Sequence, residues 1–302
     1  MSTTALILVA LSAFMHAGWN LLCKKNHPTT GFFLIASLAG TLLLVPVLVP
    51  SSGLLREIPF LAWAAIVSTG FFLALNYAAI AGAYRAGDIS VAYPLARSVP
   101  LLFVPMLGFL LGRGSQISTQ GIAGMLLVAG SCFFIPLHRF RDFHFRSFMN
   151  ATCFLALLAA IGTTGYCMID DEALRLLRSQ PSIHAGNLKI TLVYALLENT
   201  SATLWLALFM LFQSQERNKL RETCKSQWRP ASLAGVVISA TYLVVLLAMA
   251  FARDVSYIVG FRQLSIPIGA VAGMLILKEK PHPPKLAGIA VLLVGLLFIA
   301  WG

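Results

Sequence analysis

Hydrophobic positions along this chain gather into runs of about twenty residues separated by short polar connections, the period of a bilayer and not of a soluble core. Ten such runs are read at about 4–22, 31–49, 59–84, 90–111, 118–137, 147–169, 183–212, 231–252, 255–277 and 284–302. At about 1.5 Å per residue, a helical run of this length crosses a hydrocarbon core of roughly 30 Å. Lipid offers no partner to backbone polar groups, so each run must satisfy its own by forming a helix. The predicted fold class is an all-α polytopic membrane protein of ten transmembrane helices. Breakers mark several connections, among them His27-Pro28, Pro50-Ser51-Ser52-Gly53 and Pro281-His282-Pro283-Pro284. The longest polar links are 138–146 and the charge-rich 213–230.

Two of the runs begin alike. Asp88-Ile89-Ser90 leads through Arg97 and Pro100 to Gly112-Arg113; 166 residues later, Asp254-Val255-Ser256 leads through Arg262 and Pro267 to Lys278-Glu279. Each is followed by Gly-Ile-Ala and another apolar run, from Gly121 and from Gly288. The similar pieces are the third to fifth and the eighth to tenth runs, so the repeating unit holds five spans. A unit with an odd number of spans, duplicated in tandem, inserts its second copy upside down. The expectation is two inverted five-helix repeats, 1–140 and 141–302, integrated into one membrane domain around a pseudo-two-fold axis.

Composition agrees. Of 302 residues, 58% are hydrophobic and 11% charged, against about 25% charged in a soluble domain. Five scattered cysteines, with no Cys-x-x-Cys pair and no histidine at metal spacing, argue against a disulfide framework or a zinc site, and no cofactor is expected. The net charge of +11 sits in loops between apolar runs, which points to a lipid surface and not to nucleic acid. Odd-numbered connections hold fourteen Lys and Arg against five in the even-numbered ones, so the odd loops are expected in the cytoplasm and both termini outside. The first run has no basic residues before it and Lys24 and Lys25 after it, the pattern of a first span and not of a signal peptide. No Gly-rich phosphate loop with Lys-Ser/Thr is present, which argues against direct ATP drive.

The layout resembles the drug/metabolite transporter superfamily and, within it, the ten-helix EamA-type permeases. The resemblance covers nearly the whole chain and rests most on the Asp/Ser-rich turn, intramembrane proline and terminal Lys278-Glu279 of the second repeat. The run His16-Ala17-Gly18-Trp19-Asn20 is similar to a first-helix pattern of some of these permeases. It implies secondary transport across a bacterial inner membrane and leaves the substrate open, since members move amino acids, sugars, nucleotide sugars, phosphorylated metabolites and drugs. The family commonly ends its fourth helix with a glutamate. Glu279 supplies it in the second half, whereas the first half departs from that pattern with Arg113.

Arg97 and Arg262 lie six or seven residues inside their runs, roughly 10 Å below the interface. A charge at that depth costs at least ~2.5–3.5 kcal/mol unless paired or wetted. One account has both facing a shared aqueous cavity and clamping a phosphate, phosphonate or carboxylate, whose geometry the guanidinium fork matches. The other has each snorkelling to a headgroup or capping carbonyls freed by Pro94, Pro100 and Pro267. His16, Trp19, Asn20 and Lys24 recur at one-face helical spacing; they line a site, or they serve interhelical bonding and packing, with Lys24 at the interface. Asn76 and Tyr77 in the third run and Tyr242 in the eighth stand at near-equivalent repeat positions, and Tyr93 and Gln263 flank the arginines. All five are candidate substrate donors or packing groups. Glu198 reads as the only acid deep within a span, either a proton-coupling site or the counter-ion of Arg97 or Arg262. Asp170-Asp171-Glu172 reads as a solvated turn after the sixth run, and the glycines of Gly121–Gly124 and Gly288–Gly295 as sites of close helix contact.

Together these features predict a carrier of a small polar, anionic metabolite working by alternating access, coupled to protons or exchanging substrates, as a monomer or homodimer. An amino-acid or drug exporter of the same fold is an alternative. From a different class come a membrane-embedded enzyme or a flippase acting on a lipid-linked substrate. The enzyme would need a nucleophile, a metal cluster or a carboxylate pair at a helix end.

Overall fold

A computed structural model describes residues 1–26, 28–86, 89–137, 139–142, 150–212, 214–276 and 282–302. The chain is all-α. Its helices are α1 (Thr3–Asn26), α2 (Thr30–Leu44), α3 (Ser52–Glu57), α4 (Phe60–Ala86), α5 (Ile89–Gly108), α6 (Thr119–Ser131), α7 (Ala151–Ser179), α8 (Asn187–Phe212), α9 (Ser214–Ser226), α10 (Trp228–Ala248), α11 (Val255–Phe261), α12 (Ser265–Ile276) and α13 (Pro283–Trp301). Side-chain oxygens cap several of them: Thr29 accepts from the Phe32 N–H, Ser118 from Gly121, Asn150 from Cys153 and Asp254 from Ser256. Asp254 thus opens α11 as its helix cap, while its counterpart Asp88 lies outside the described residues.

Among the described residues, nine helical stretches are long and apolar enough to cross a bilayer. The expected tenth, at 118–137, contains only the 13-residue helix α6. Beyond Ser131 the backbone tightens, with the Phe133 and Phe134 N–H groups donating to the carbonyls three residues back. Pro136 then removes a donor and disfavours helix before it. Three other boundaries also move. The sixth run continues to Ser179, the ninth divides into α11 and α12, and the polar link 213–230 contains the helix α9. A charge-rich sequence forms α9 because its residues are good helix formers and one of them is anchored. Glu216 accepts from the Thr30 N–H at 2.9 Å and from Arg85 at 2.6 Å.

α4 packs along α7 and α8, α10 along α1 and α2, α5 against α7 and α12 against α1, with α6 and α13 pairing at one side. Glycine sets the α6–α13 distance. A Cβ on Gly124 would stand 2.6 Å from the Gly295 carbonyl oxygen, and one on Gly295 would stand 2.8 Å from that of Gly124. Large apolar side chains such as Phe60, Leu110, Leu211 and Phe212 cover the outside, the surface that lipid solvates.

Bonds across the polar rims sort the connections into two sets. Arg85, Thr30 and Glu216 join the third, first and seventh at one rim. Arg113 bonds Asp171, and Arg175 bonds the Arg253 carbonyl, joining the fourth, sixth and eighth at the other. Both chain ends meet this second set, Ser2 donating to the Phe251 carbonyl and Gly302 lying against Ser118.

Candidate functional site

α1, α4, α5, α7, α10 and the junction between α11 and α12 enclose a cavity of about 160 Å³. His16, Trp19 and Asn20 reach it from α1, Asn76 and Tyr77 from α4, Arg97 from α5, Tyr242 from α10, and Arg262 and Gln263 from the junction. Nine of the ten substrate-site residues expected from sequence therefore line one space. The side chain of the tenth, Tyr93, lies outside the described residues. Tyr166, Thr163, Thr241 and Cys23 complete the polar part of the wall and were not anticipated.

The two arginines stand on different backbones. α5 carries Arg97 on continuous α-helix through Pro100. At Arg262 the helix breaks: α11 ends at Phe261, residues 262–264 form a single tighter turn, and α12 starts at Ser265. Pro267 has no N–H to give the Gln263 carbonyl, and its ring crowds that turn. The Ser265 N–H bonds the Arg262 and Gln263 carbonyls instead.

Arg97 enters a chain of donors. Its guanidinium is 2.8 Å from His16 Nε2 and donates to Gln263 Oε1 at 3.5 Å, while Trp19 Nε1 donates to His16 Nδ1 at 3.2 Å. Indole and guanidinium N–H groups can only donate, whereas a neutral imidazole has a single acceptor nitrogen. Both His16 nitrogens thus face donors, one more than a neutral ring can accept from. Arg262 lies 5.7 Å over the ring of Tyr242, and its Nη1 is 3.8 Å from Cys167 Sγ. Among the described residues no carboxylate pairs with Arg262. The cavity is therefore cationic and donor-rich.

Other lining residues are occupied. Asn76 spends both amide hydrogens on α7, at 2.8 Å from the Ala159 carbonyl and 2.9 Å from Thr163 Oγ1. Tyr77 stacks on Phe33 with ring centres 4.9 Å apart. Glu198, on α8, is buried outside the cavity wall; it forms no ion pair with Arg97 or Arg262, and its Oε1 has no hydrogen-bond partner among the described residues.

The solvated turn expected at Asp170-Asp171-Glu172 is instead continuous helix within α7, with Asp170 and Asp171 buried and Glu172 exposed. Asp170 is fully buried. Its Oδ1 accepts from Thr69 at 2.5 Å and from Tyr194 at 2.7 Å, and its Oδ2 accepts from the hydroxyl of Tyr242. Three hydroxyl donors from three helices make such burial tolerable. Asp170 is thus a buried acid within a long apolar helix, as Glu198 is. Helical spacing carried its signal: Thr163, Tyr166 and Asp170 follow at i, i+3 and i+7, one face of α7. Asp171 accepts from Arg113 at 2.9 Å and from Arg175 at 2.8 Å, and Glu172 also pairs with Arg113. Arg113, in the place of the expected glutamate, fastens the end of the α5 segment to α7.

Nine helical stretches of bilayer length among the described residues decide the class. The protein is a multi-pass integral membrane protein. A crystal structure described only as that of a protein aligns with 100% of this chain and 99% of its own, with a TM-score of 0.68 and 15% identity. A likeness at that identity speaks for the fold and for nothing beyond it. No protein-family model and no curated protein matches the chain.

Proposed function

We propose that this protein is a secondary carrier moving a small, polar, anionic metabolite across a bacterial inner membrane by alternating access. The observation that carries the proposal is the meeting of Arg97 and Arg262, from separate parts of the chain, on one cavity where both nitrogens of His16 already face donors. A phosphate, phosphonate or carboxylate supplies the acceptors that such a cluster lacks and offsets its charge. Support for two inverted halves, 1–140 and 141–302, comes from the helix contacts, which fall into matched sets. α1 on α10 mirrors α7 on α4, α2 on α10 mirrors α8 on α4, and α12 on α1 mirrors α5 on α7. That pattern is what a pseudo-two-fold relation generates, and it is the layout of the EamA-type permeases. The rim of the first, third and seventh connections is the cytoplasmic one by its charge.

The test is counterflow in proteoliposomes with methylphosphonate, glycerol 3-phosphate, alanine and glucose. Exchange of an anion, lost in Arg262→Ala with fold retained, is the expected result. Exchange of glucose alone would overturn the anion assignment, and alanine alone would assign the guanidinium to an α-carboxylate. No exchange, with turnover of a lipid-linked donor, would replace the carrier by an enzyme.

A further inference from the structure

We propose that Asp170 is the proton-binding site that couples anion movement to the proton gradient, in a one-proton symport. This rests on the carrier reading above and adds to it the coupling ion and the residue that holds it.

The geometry links a fully buried carboxyl to the cavity through one side chain. Tyr242 lines the cavity, donates its hydroxyl to Asp170 Oδ2, and carries Arg262 over its ring. A cation over a phenol face withdraws electron density and strengthens the O–H as a donor, so Arg262 stabilises the ionised form of Asp170 from a distance. An anion bound to Arg262 cancels that support. Asp170 then takes a proton from a solvent hydronium ion, one O–H bond forming as the hydronium's breaks to leave water, and gives it back to water when the anion leaves. With a singly charged anion, the loaded cavity carries the same net charge as the empty one. That equality matters because an uncompensated charge makes the change between open forms costly in a low-dielectric interior. Binding of anion and binding of proton favour one another, and by linkage they do so reciprocally.

Every element around Asp170 contributes to its titration. α4 presents Thr69, α8 presents Tyr194 and Glu198, α10 presents Tyr242, and α7 itself presents Cys167 and Asp171. Glu198 is 2% exposed, and its Oε1 has no hydrogen-bond partner among the described residues. The three hydroxyl donors gather on Asp170. Asp171 is neutralised separately by Arg113 and Arg175.

The experiment measures uptake of methylphosphonate and glycerol 3-phosphate into proteoliposomes with and without a pH gradient. With one proton per anion and the lumen one unit more alkaline, wild-type protein should accumulate substrate up to about tenfold. Asp170→Asn should lose that accumulation while keeping counterflow at equal pH. Tyr194→Phe, which removes one donor to the carboxylate, should keep coupling and move the midpoint of its pH dependence upward by about one unit. Proton uptake by detergent-solubilised wild-type protein on addition of the anion, followed with a pH dye, gives a readout that needs no variant to fold. Accumulation retained in Asp170→Asn, or wild-type exchange with neither gradient response nor proton uptake, would overturn the proposal and leave the carrier standing. Absence of exchange by the wild type with every solute of the counterflow panel would instead remove the carrier reading, and the proton site with it.

Discussion

The two arginine segments share a sequence pattern and differ in what surrounds the charge. On α5, Arg97 sits on unbroken helix and already engages His16 and Gln263. Arg262 sits where the helix breaks and meets a tyrosine face and a thiol. Gln263, and not Arg262, is the residue 166 positions beyond Arg97, and these two bond one another across the cavity. The charges are therefore one position out of register, and the site is asymmetric although the pattern is repeated. Arg97 is built into the wall by an imidazole and an amide, while Arg262 is held by the softer contacts of a ring face and a thiol.

That contrast is sharpest in the arginine substitutions. Each charged hydrogen bond contributes about 1.5–3 kcal/mol, so losing a two-bond clamp in Arg262→Ala should lower kcat/KM for anion uptake at least ~100-fold. Arg97→Ala should lower it about tenfold, one bond's worth, with the rest of that guanidinium holding the wall. Equal losses, measured in the same proteoliposomes, would break the comparison. Next in size is the helix break. Pro267→Ala restores an N–H and lets helix run through residues 262–264, so the thermal midpoint should rise while uptake falls about fivefold or more. Pro100→Ala, on helix that is already continuous, should leave uptake unchanged within about twofold.

Asn76 separates lining from binding. Asn76→Ala forfeits two bonds to α7 and should destabilise the fold by about 1–3 kcal/mol in denaturation, with the KM of an anion nearly unchanged. A large KM effect would move Asn76 into the substrate contact set. The smallest effect belongs to His16→Gln, which keeps an acceptor for Arg97 and should alter uptake less than about threefold. A larger fall would give the imidazole a titrating role of its own.

Most of the polar part of the cavity wall is legible from residue type and spacing. Arginine, histidine, asparagine and glutamine inside apolar runs are too costly to face lipid, so they must turn toward one another. The exception follows from the same rule. Hydropathy closes the sixth run at residue 169, yet Asp170 is buried where hydroxyls from α4, α8 and α10 replace water. A polar residue ends a run on a hydropathy scale whether it meets solvent or a partner. α6 fell short for a local reason, Pro136, while α9 became ordered for a distant one, the bonds from Glu216 to Arg85 and Thr30.

From sequence alone came the spans, the sorting of loops to two rims and the inward turn of the charged residues. All three follow from transfer free energies, which belong to a residue and its near neighbours. The tertiary structure alone decided which hydroxyls hold Asp170, why Arg97 and Arg262 play unequal parts, and that Arg113 finds acids on α7. Those depend on distances of a few ångströms between groups far apart in the chain, and the energy of a hydrogen bond or ion pair exists only at such distances.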